Sequence, residues 1–245
     1  MTENQDIKID SKLISLKMNK ILLIGDSITQ CGSDPSMLGW AASLQHHYIR
    51  KLEIVNKGLS GYNTGWVEPL MDGFLDYCEL GDSRIVLTII MLGTNDSVHP
   101  SVNSLQAVDV EAYKANLTEI CGKALQRGQV LLVTPPPANQ HPERTLERTR
   151  RYKDAAMQVA HDLSIPCLDT WHALLGDGSN LDKIWDHYYD GVHFNTKGNK
   201  FFYDTLIDKI YITWPEMNVV NLKQKYPEWN EVGQLNLLVH PKRSN

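Results

Sequence analysis

Hydrophobic residues fall into short unbroken runs along this chain, separated by stretches of helical period. Ile21 to Ile24 form the first run, closed by Gly25; consecutive aliphatics of that length read as a strand buried on both faces. Asp26, Ser27 and Thr29 follow at or just past its C-terminal end. A helix is predicted over 37–52, where Leu38, Ala41, Ala42, Leu44, Tyr48, Ile49 and Leu52 keep helical spacing. Glu53 to Val55 predict a second strand, and N-K-G-L-S-G-Y-N-T over 56–64 spells a tight loop at its edge. A helix over 65–78 tolerates Pro69 in its opening turns. Arg84 to Leu92 is the longest β-rich run and ends in Gly93-Thr94-Asn95-Asp96. A helix over 108–126 stops at Gly128. A strand over 130–133 then ends on Thr134 and three prolines, Pro135 to Pro137. A basic helix over 146–163 presents Arg148, Arg150, Arg151 and Lys153 as a solvated face. A short fifth strand over 165–168, helical turns over 171–175 and 181–187, and a last helix over 196–210 complete the pattern.

Strands alternating with helices argue an α/β fold with a parallel sheet covered on both faces. Five strands suggest the flavodoxin-like order 2-1-3-4-5. No repeat or composition shift marks a second domain. The expected organisation is a mobile arm over 1–18, one domain over 19–213 and a tail over 214–245. The tail's Trp214, Val219, Val220, Leu222 and Trp229 would dock on the domain or on a partner, which leaves a homodimer open.

Composition narrows the partners. The 245 residues carry a net charge of −5, which gives no electrostatic reason for nucleic acid or an anionic membrane as partner. No apolar segment in residues 1–18 is long enough for a signal peptide or membrane span, so no membrane insertion is expected. Cys31, Cys78, Cys121 and Cys167 are scattered without metal-like spacing, as suits free thiols in the cytoplasm. His46 and His47 are adjacent on a helix and point apart, so no metal pair is expected there. Sequons occur at Asn95 and Asn116; a glycan on the first would obstruct the site proposed below.

Three glycine-containing loops follow the first three strands: Gly25-Asp26-Ser27, Ser60-Gly61 and Gly93-Thr94-Asn95-Asp96. A parallel sheet puts all three on one edge, and the first and third flank the reversal of strand order where ligands bind. By itself Ser27 reads as the cap of the next helix. As a nucleophile it needs a base, because free serine is un-ionised at neutral pH, and donors aimed at a developing oxyanion. Asn95 offers a side-chain amide, Gly61 a backbone N–H unobstructed by a Cβ, and Ser27 its own N–H. Among nine histidines, His193 has Asp190 three residues earlier in a glycine-bearing loop directly before a helix. That spacing can set a carboxylate beside the imidazole. His187, next to Asp186, is the competitor.

Taken together, G-D-S-I-T, S-G-Y-N-T, G-T-N-D and D-G-V-H-F, in that order over residues 20–210, resemble the blocks of the GDSL or SGNH hydrolase superfamily. The resemblance implies a three-layer α/β/α sandwich and serine-esterase chemistry needing no cofactor. It assigns Ser27 as nucleophile, His193 as general base and acid, and Asp190 as its orienter. Gly61, Asn95 and the Ser27 N–H would form the oxyanion hole. L-I-G-D-S-I-T, G-L-S-G-Y-N-T, T-P-P-P and the tail around Trp214-Pro215-Glu216 and Tyr226-Pro227-Glu228-Trp229 resemble the isoamyl acetate-hydrolysing esterase group in particular. Ile28 stands where the superfamily's name has leucine. The expected substrate is a small acetyl-type ester; lysophospholipids, thioesters and acetylated carbohydrates are the alternatives within the superfamily. Outside it stand a metal-dependent phosphohydrolase using Asp26 and Asp96, though Mg²⁺ sites usually want more carboxylates or phosphates, and a non-catalytic flavodoxin-like binding module.

Overall fold

The computed structural model describes residues 18–79, 83–140, 142–176, 181–225 and 228. Five parallel strands form one sheet: β1 (Lys20–Gly25), β2 (Glu53–Gly58), β3 (Ile85–Met91), β4 (Gln129–Val133) and β5 (Cys167–Leu168). Their order is β2-β1-β3-β4-β5, the order expected from the alternation of strands and helices. The eight α-helices of the described residues are α1 (Ser27–Cys31), α2 (Trp40–His47), α3 (Thr64–Val67), α4 (Met71–Cys78), α5 (Val110–Leu125), α6 (Leu146–Asp162), α7 (Thr170–Leu175) and α8 (Thr196–Thr213).

Side-chain alternation along the strands splits the core into two layers. Ile21, Leu23, Ile89 and Leu131 face Trp40 and Leu44 of α2 and Phe202, Leu206 and Ile210 of α8. Leu22, Ile24, Ile90, Val130 and Leu132 face Met71 and Leu75 of α4, Leu117 and Ile120 of α5, and Ala156 and Val159 of α6. The result is a three-layer α/β/α sandwich. A register shift, in which Lys20 pairs with Ile85 but Ile21 with Leu87, inserts Val86 as an extra residue. It puts Ile85 and Leu87 in opposite layers although they stand two apart.

Element boundaries depart from the sequence reading where tertiary contacts decide them. The helix expected over 37–52 begins at Trp40, because Leu38 takes a left-handed conformation (φ 49°) after a 3₁₀ turn over Pro35–Met37. β2 runs to Gly58, not Val55, since β1 offers a partner at every position up to Gly25↔Gly58. The helix expected over 65–78 is broken by a 3₁₀ turn at Glu68–Leu70 that holds Pro69. The last helix continues to Thr213, three residues beyond the apolar pattern.

The 1–18 arm lies outside the described residues apart from Met18. Of the tail residues expected to dock, Trp214, Val219 and Leu222 pack on the domain, Val220 is exposed, and Trp229 lies outside the described residues. Trp214 and Met217 join the α2/α8 layer, the Tyr48 hydroxyl donates to Met217 O at 3.1 Å, and Lys51 Nζ donates to Leu222 O at 2.7 Å. No helix of the described residues is long and apolar enough to cross a membrane.

Candidate active site

The turn after β1 is built by two neighbouring residues, Gly25 and Asp26. Gly25 is required because α1 folds straight back on the strand: a Cβ there would stand 2.0 Å from Thr29 Oγ1 and 2.8 Å from the Met91 carbonyl. Asp26, not Ser27, caps the helix, its Oδ1 accepting from the Ile28 N–H at 2.9 Å. The Ser27 hydroxyl is thereby free of the capping role its position suggested. Its Oγ lies 2.7 Å from His193 Nε2, with Ser27 itself only 8% exposed.

His193 comes from the loop that precedes α8. Asp190 Oδ1 accepts from the backbone N–H groups of Val192 (2.9 Å) and His193 (2.8 Å), and its Oδ2 lies 2.6 Å from His193 Nδ1. A carboxylate at Nδ1 places the ring proton there and turns the Nε2 lone pair towards Ser27. Burial opposes ionisation of Asp190, but the hydrogen bonds from His193 and Val192 outweigh it and hold its pKa below the ordinary carboxylate value. His187 is directed elsewhere, with Nδ1 3.2 Å from Ile184 O and its ring edge-on to Phe201.

The loops after β2 and β3 close around the same turn. The Leu59 N–H donates to Gly25 O at 2.9 Å and the Ser60 N–H to Gln30 Oε1 at 2.8 Å, which holds Gly61 beside α1. Gln106 Nε2 occupies the Gly61 carbonyl at 2.8 Å. Asn95 is buried; its Nδ2 donates to Tyr62 O at 2.8 Å, and its Oδ1 accepts from Arg144 Nη2 at 3.0 Å. The structure therefore brings Ser27, Asp190 and His193 into one hydrogen-bonded chain and sets the Gly61 and Asn95 loops along the sheet edge beside it. Both sequon asparagines are engaged within the fold, Asn116 through Nδ2 to Thr64 Oγ1 at 3.2 Å.

Asp26 and Asp96 serve the loops. Asp96 Oδ1 accepts from both the N–H and the hydroxyl of Thr64, tying the loop after β3 to α3. The Oδ2 atoms of both carboxylates are buried without a protein partner. Among the described residues no group of three or more His, Cys, Asp and Glu side chains is arranged to hold a metal ion. Burial raises Asp26 to about 6 and Asp96 to about 7. A carboxyl whose folded pKa lies above its unfolded value binds more protons when folded, so its contribution to stability falls as pH rises between the two values. Asp96→Asn should therefore become more stable relative to wild type as pH rises from about 4 to about 7, by about 2–4 kcal/mol across that window. Urea unfolding of both proteins at several pH values measures this difference; a difference independent of pH would mean that Asp96 ionises in the fold as readily as in the unfolded chain.

A cavity of about 300 Å³ opens beside His193, lined by Ile28, Cys31, Met37, Tyr189 and Phe194, with Asp34 and Asn199 as its polar members. Tyr189 is 59% exposed and stacks on the His193 ring, centroids 5.6 Å apart and planes at 16°. The sequence reading did not single out Tyr189, although its place directly before Asp190 was a usable signal. It also missed Arg144, for which the local sequence holds no sign. Arg148 departs from the solvated face assigned to it: its Nε donates to Ser97 O at 2.7 Å, bracing the loop after β3.

The chain is similar to known proteins in sequence and in fold. Residues 23–201 match the GDSL-like Lipase/Acylhydrolase family. The chain is 31% identical to the isoamyl acetate-hydrolyzing esterase 1 homolog of Bos taurus over 233 residues, covering 88% of each protein. It is 27% identical to the isoamyl acetate-hydrolyzing esterase of Saccharomyces cerevisiae, over 87% of this chain and 94% of the relative. Among solved structures, an acetylxylan esterase from Geobacillus stearothermophilus superposes with a TM-score of 0.63 at 22% identity, over 78% of this chain and 94% of that one. At that identity the likeness is one of fold.

Proposed function

Since the chain belongs to the GDSL-like lipase/acylhydrolase family, we propose that it is a serine esterase of small acetyl-type esters in which Ser27, His193 and Asp190 form the catalytic triad. The observation that carries this reading is the chain of short contacts from Ser27 Oγ to His193 Nε2 (2.7 Å) and from His193 Nδ1 to Asp190 Oδ2 (2.6 Å). Ser27 Oγ attacks the ester carbonyl as Nε2 takes its proton. Asp190 keeps the imidazole in the accepting tautomer and stabilises the imidazolium. The oxyanion gathers on the N–H groups of Ser27 and Gly61 and on Asn95 Nδ2. His193 then protonates the departing alcohol oxygen, and water clears the acetyl-enzyme by the same steps in reverse roles.

The cavity beside His193 supports a placement for the alcohol. The leaving oxygen must meet His193 Nε2, so the group it carries lies on the His193 side, where Ile28, Cys31, Met37, Tyr189 and Phe194 stand. About 300 Å³ is at the low end for ligand sites, and it suits a compact alcohol better than a long or branched one. The four cysteines are all unpaired, which fits a reducing compartment such as the cytoplasm, and the net charge of −5 gives no electrostatic reason for nucleic acid as a partner.

The test is a panel of acetate esters of graded alcohol size, run beside fluorophosphonate labelling. Turnover should fall once the alcohol outgrows the cavity, and the label should sit on Ser27. A label on any other residue overturns the assignment. Asn95→Ala should lower kcat by about 10²–10³ with KM little changed, because its amide is asked to act on the transition state. A rise in KM at constant kcat would make Asn95 a substrate-binding residue instead.

A further inference from the structure

A buried cation stands behind the proposed oxyanion hole, in the loop that leaves β4. Arg144 is 6% exposed. Its Nε donates to Thr94 O (3.0 Å), Nη2 to Asn95 Oδ1 (3.0 Å), and Nη1 to Gln140 Oε1 (2.7 Å) and Glu143 Oε2 (3.2 Å). Two of these bonds grip the loop after β3 at consecutive residues, one of them Asn95.

An asparagine side chain has one accepting oxygen and one donating nitrogen that are nearly the same size, so its neighbours decide which way it faces. Guanidinium only donates, and the Tyr62 carbonyl only accepts. Both are satisfied when Oδ1 faces Arg144 and Nδ2 faces Tyr62 at 2.8 Å. The second Nδ2 hydrogen is then the group left for an incoming oxyanion. Turned over, the amide would present a lone pair to a developing negative charge. The guanidinium charge facing Oδ1 also polarises the amide and makes Nδ2–H a stronger donor. Asp26 and Asp190 both lie within the field of the same guanidinium.

The backbone around Arg144 is fixed to match. Gln140 and Arg144 exchange both backbone hydrogen bonds, at 3.0 and 2.8 Å, and the Asn139 N–H donates to Gly191 O at 3.0 Å. Gly191 has φ +82°, and a Cβ there would come within 2.5 Å of Asn139 O. One short segment thus braces the Asn95 loop through a side chain and the Asp190–His193 loop through its backbone.

We propose that Arg144 is a positioning residue for the oxyanion hole, setting the orientation and donor strength of the Asn95 amide. It rests on the reading of Asn95 as an oxyanion donor. A double-mutant cycle tests it: Arg144→Met and Arg144→Lys, each made in wild type and in Asn95→Ala, with kcat and KM measured on one acetate ester. In wild type, Arg144→Met should lower kcat about tenfold to hundredfold with KM nearly unchanged, and Arg144→Lys should recover part of that loss by keeping the charge. In Asn95→Ala either substitution should change kcat by less than about twofold, since the amide it orients is gone. Equal losses in both backgrounds would overturn the proposal and assign Arg144 to folding or to the substrate directly. If circular dichroism shows that the Met variant does not fold, the Lys variant carries the same cycle. Should Ser27→Ala be inactive and Asn95→Ala slow while the losses add, the esterase reading stands and only the role of Arg144 falls. Wild-type kcat in Asn95→Ala would remove both the donor role of Asn95 and this one.

Discussion

Ser27→Ala is expected to lower kcat/KM for a short acetate ester by on the order of 10⁶ while leaving the circular dichroism spectrum and the unfolding midpoint unchanged. The two halves of that expectation have separate causes. Activity is lost because, in the proposed mechanism, Oγ is the atom that becomes acylated, and nothing beside it can substitute: Asp26 is capping α1 and Thr29 points back against Gly25. Stability is kept because the Ser27 hydroxyl is spent on His193 alone among the described contacts, and the helix retains its cap on Asp26. Had Ser27 been the cap, the alanine variant would have cost about 1 kcal/mol of stability as well. Esterase activity near the wild-type level in this variant would overturn the mechanism. An unfolded variant would overturn only the separation of the two roles.

The difference between Asp26 and Ser27 illustrates what could be read from the chain and what could not. Four apolar residues closed by glycine announce a buried strand, and alternation with helices implies a parallel sheet; it suggests the flavodoxin-like order, which only the pairing of the strands fixes. The three-residue spacing of Asp190 and His193 lets backbone geometry bring them close, but it is the resemblance of the four blocks together that singles this pair out from Asp186 and His187. Contacts between distant segments leave no such mark. Arg144 reaches Asn95 across 49 residues, and its own neighbours, Glu143 and Thr145, read as an ordinary polar loop. The sequence predicts β2 three residues shorter than it is, because Asn56 and Lys57 are not strand formers. Pairing with β1, buried from Ile21 to Gly25, holds them in register nonetheless. The 3₁₀ turn and left-handed Leu38 that delay α2 are equally invisible, since apolar spacing continues straight through them. Such non-local effects fix where a cavity opens, which is why the walls of the cavity beside His193 could not be drawn beforehand while His193 itself could.

Asp190→Asn carries the second large effect, and here the near-isosteric change should be as damaging as a deletion. Asp190 uses its two oxygens for different purposes: Oδ1 accepts from two backbone N–H groups, and Oδ2 faces His193 Nδ1. An asparagine must place one oxygen and one NH₂ on those two sites. Turning the NH₂ towards Val192 and His193 would oppose it to two N–H donors, so the oxygen stays there and the NH₂ faces Nδ1. The imidazole then has to accept at Nδ1 and carry its proton on Nε2, where it points at Ser27 as a donor. A histidine in that tautomer cannot take the serine proton. The expected loss in kcat is about 10³–10⁴ at neutral pH, with KM and the fold little altered. Asp190→Ala removes the wrong-tautomer constraint but also both backbone bonds that shape the loop, so it should lose comparable activity and unfold earlier. Nitrogen NMR of the His193 ring reads the tautomer directly: the Asn variant should show the Nε2–H form and the wild type the Nδ1–H form. Wild-type tautomer together with wild-type turnover in Asp190→Asn would mean that Asp190 holds the loop and takes no part in the proton transfer.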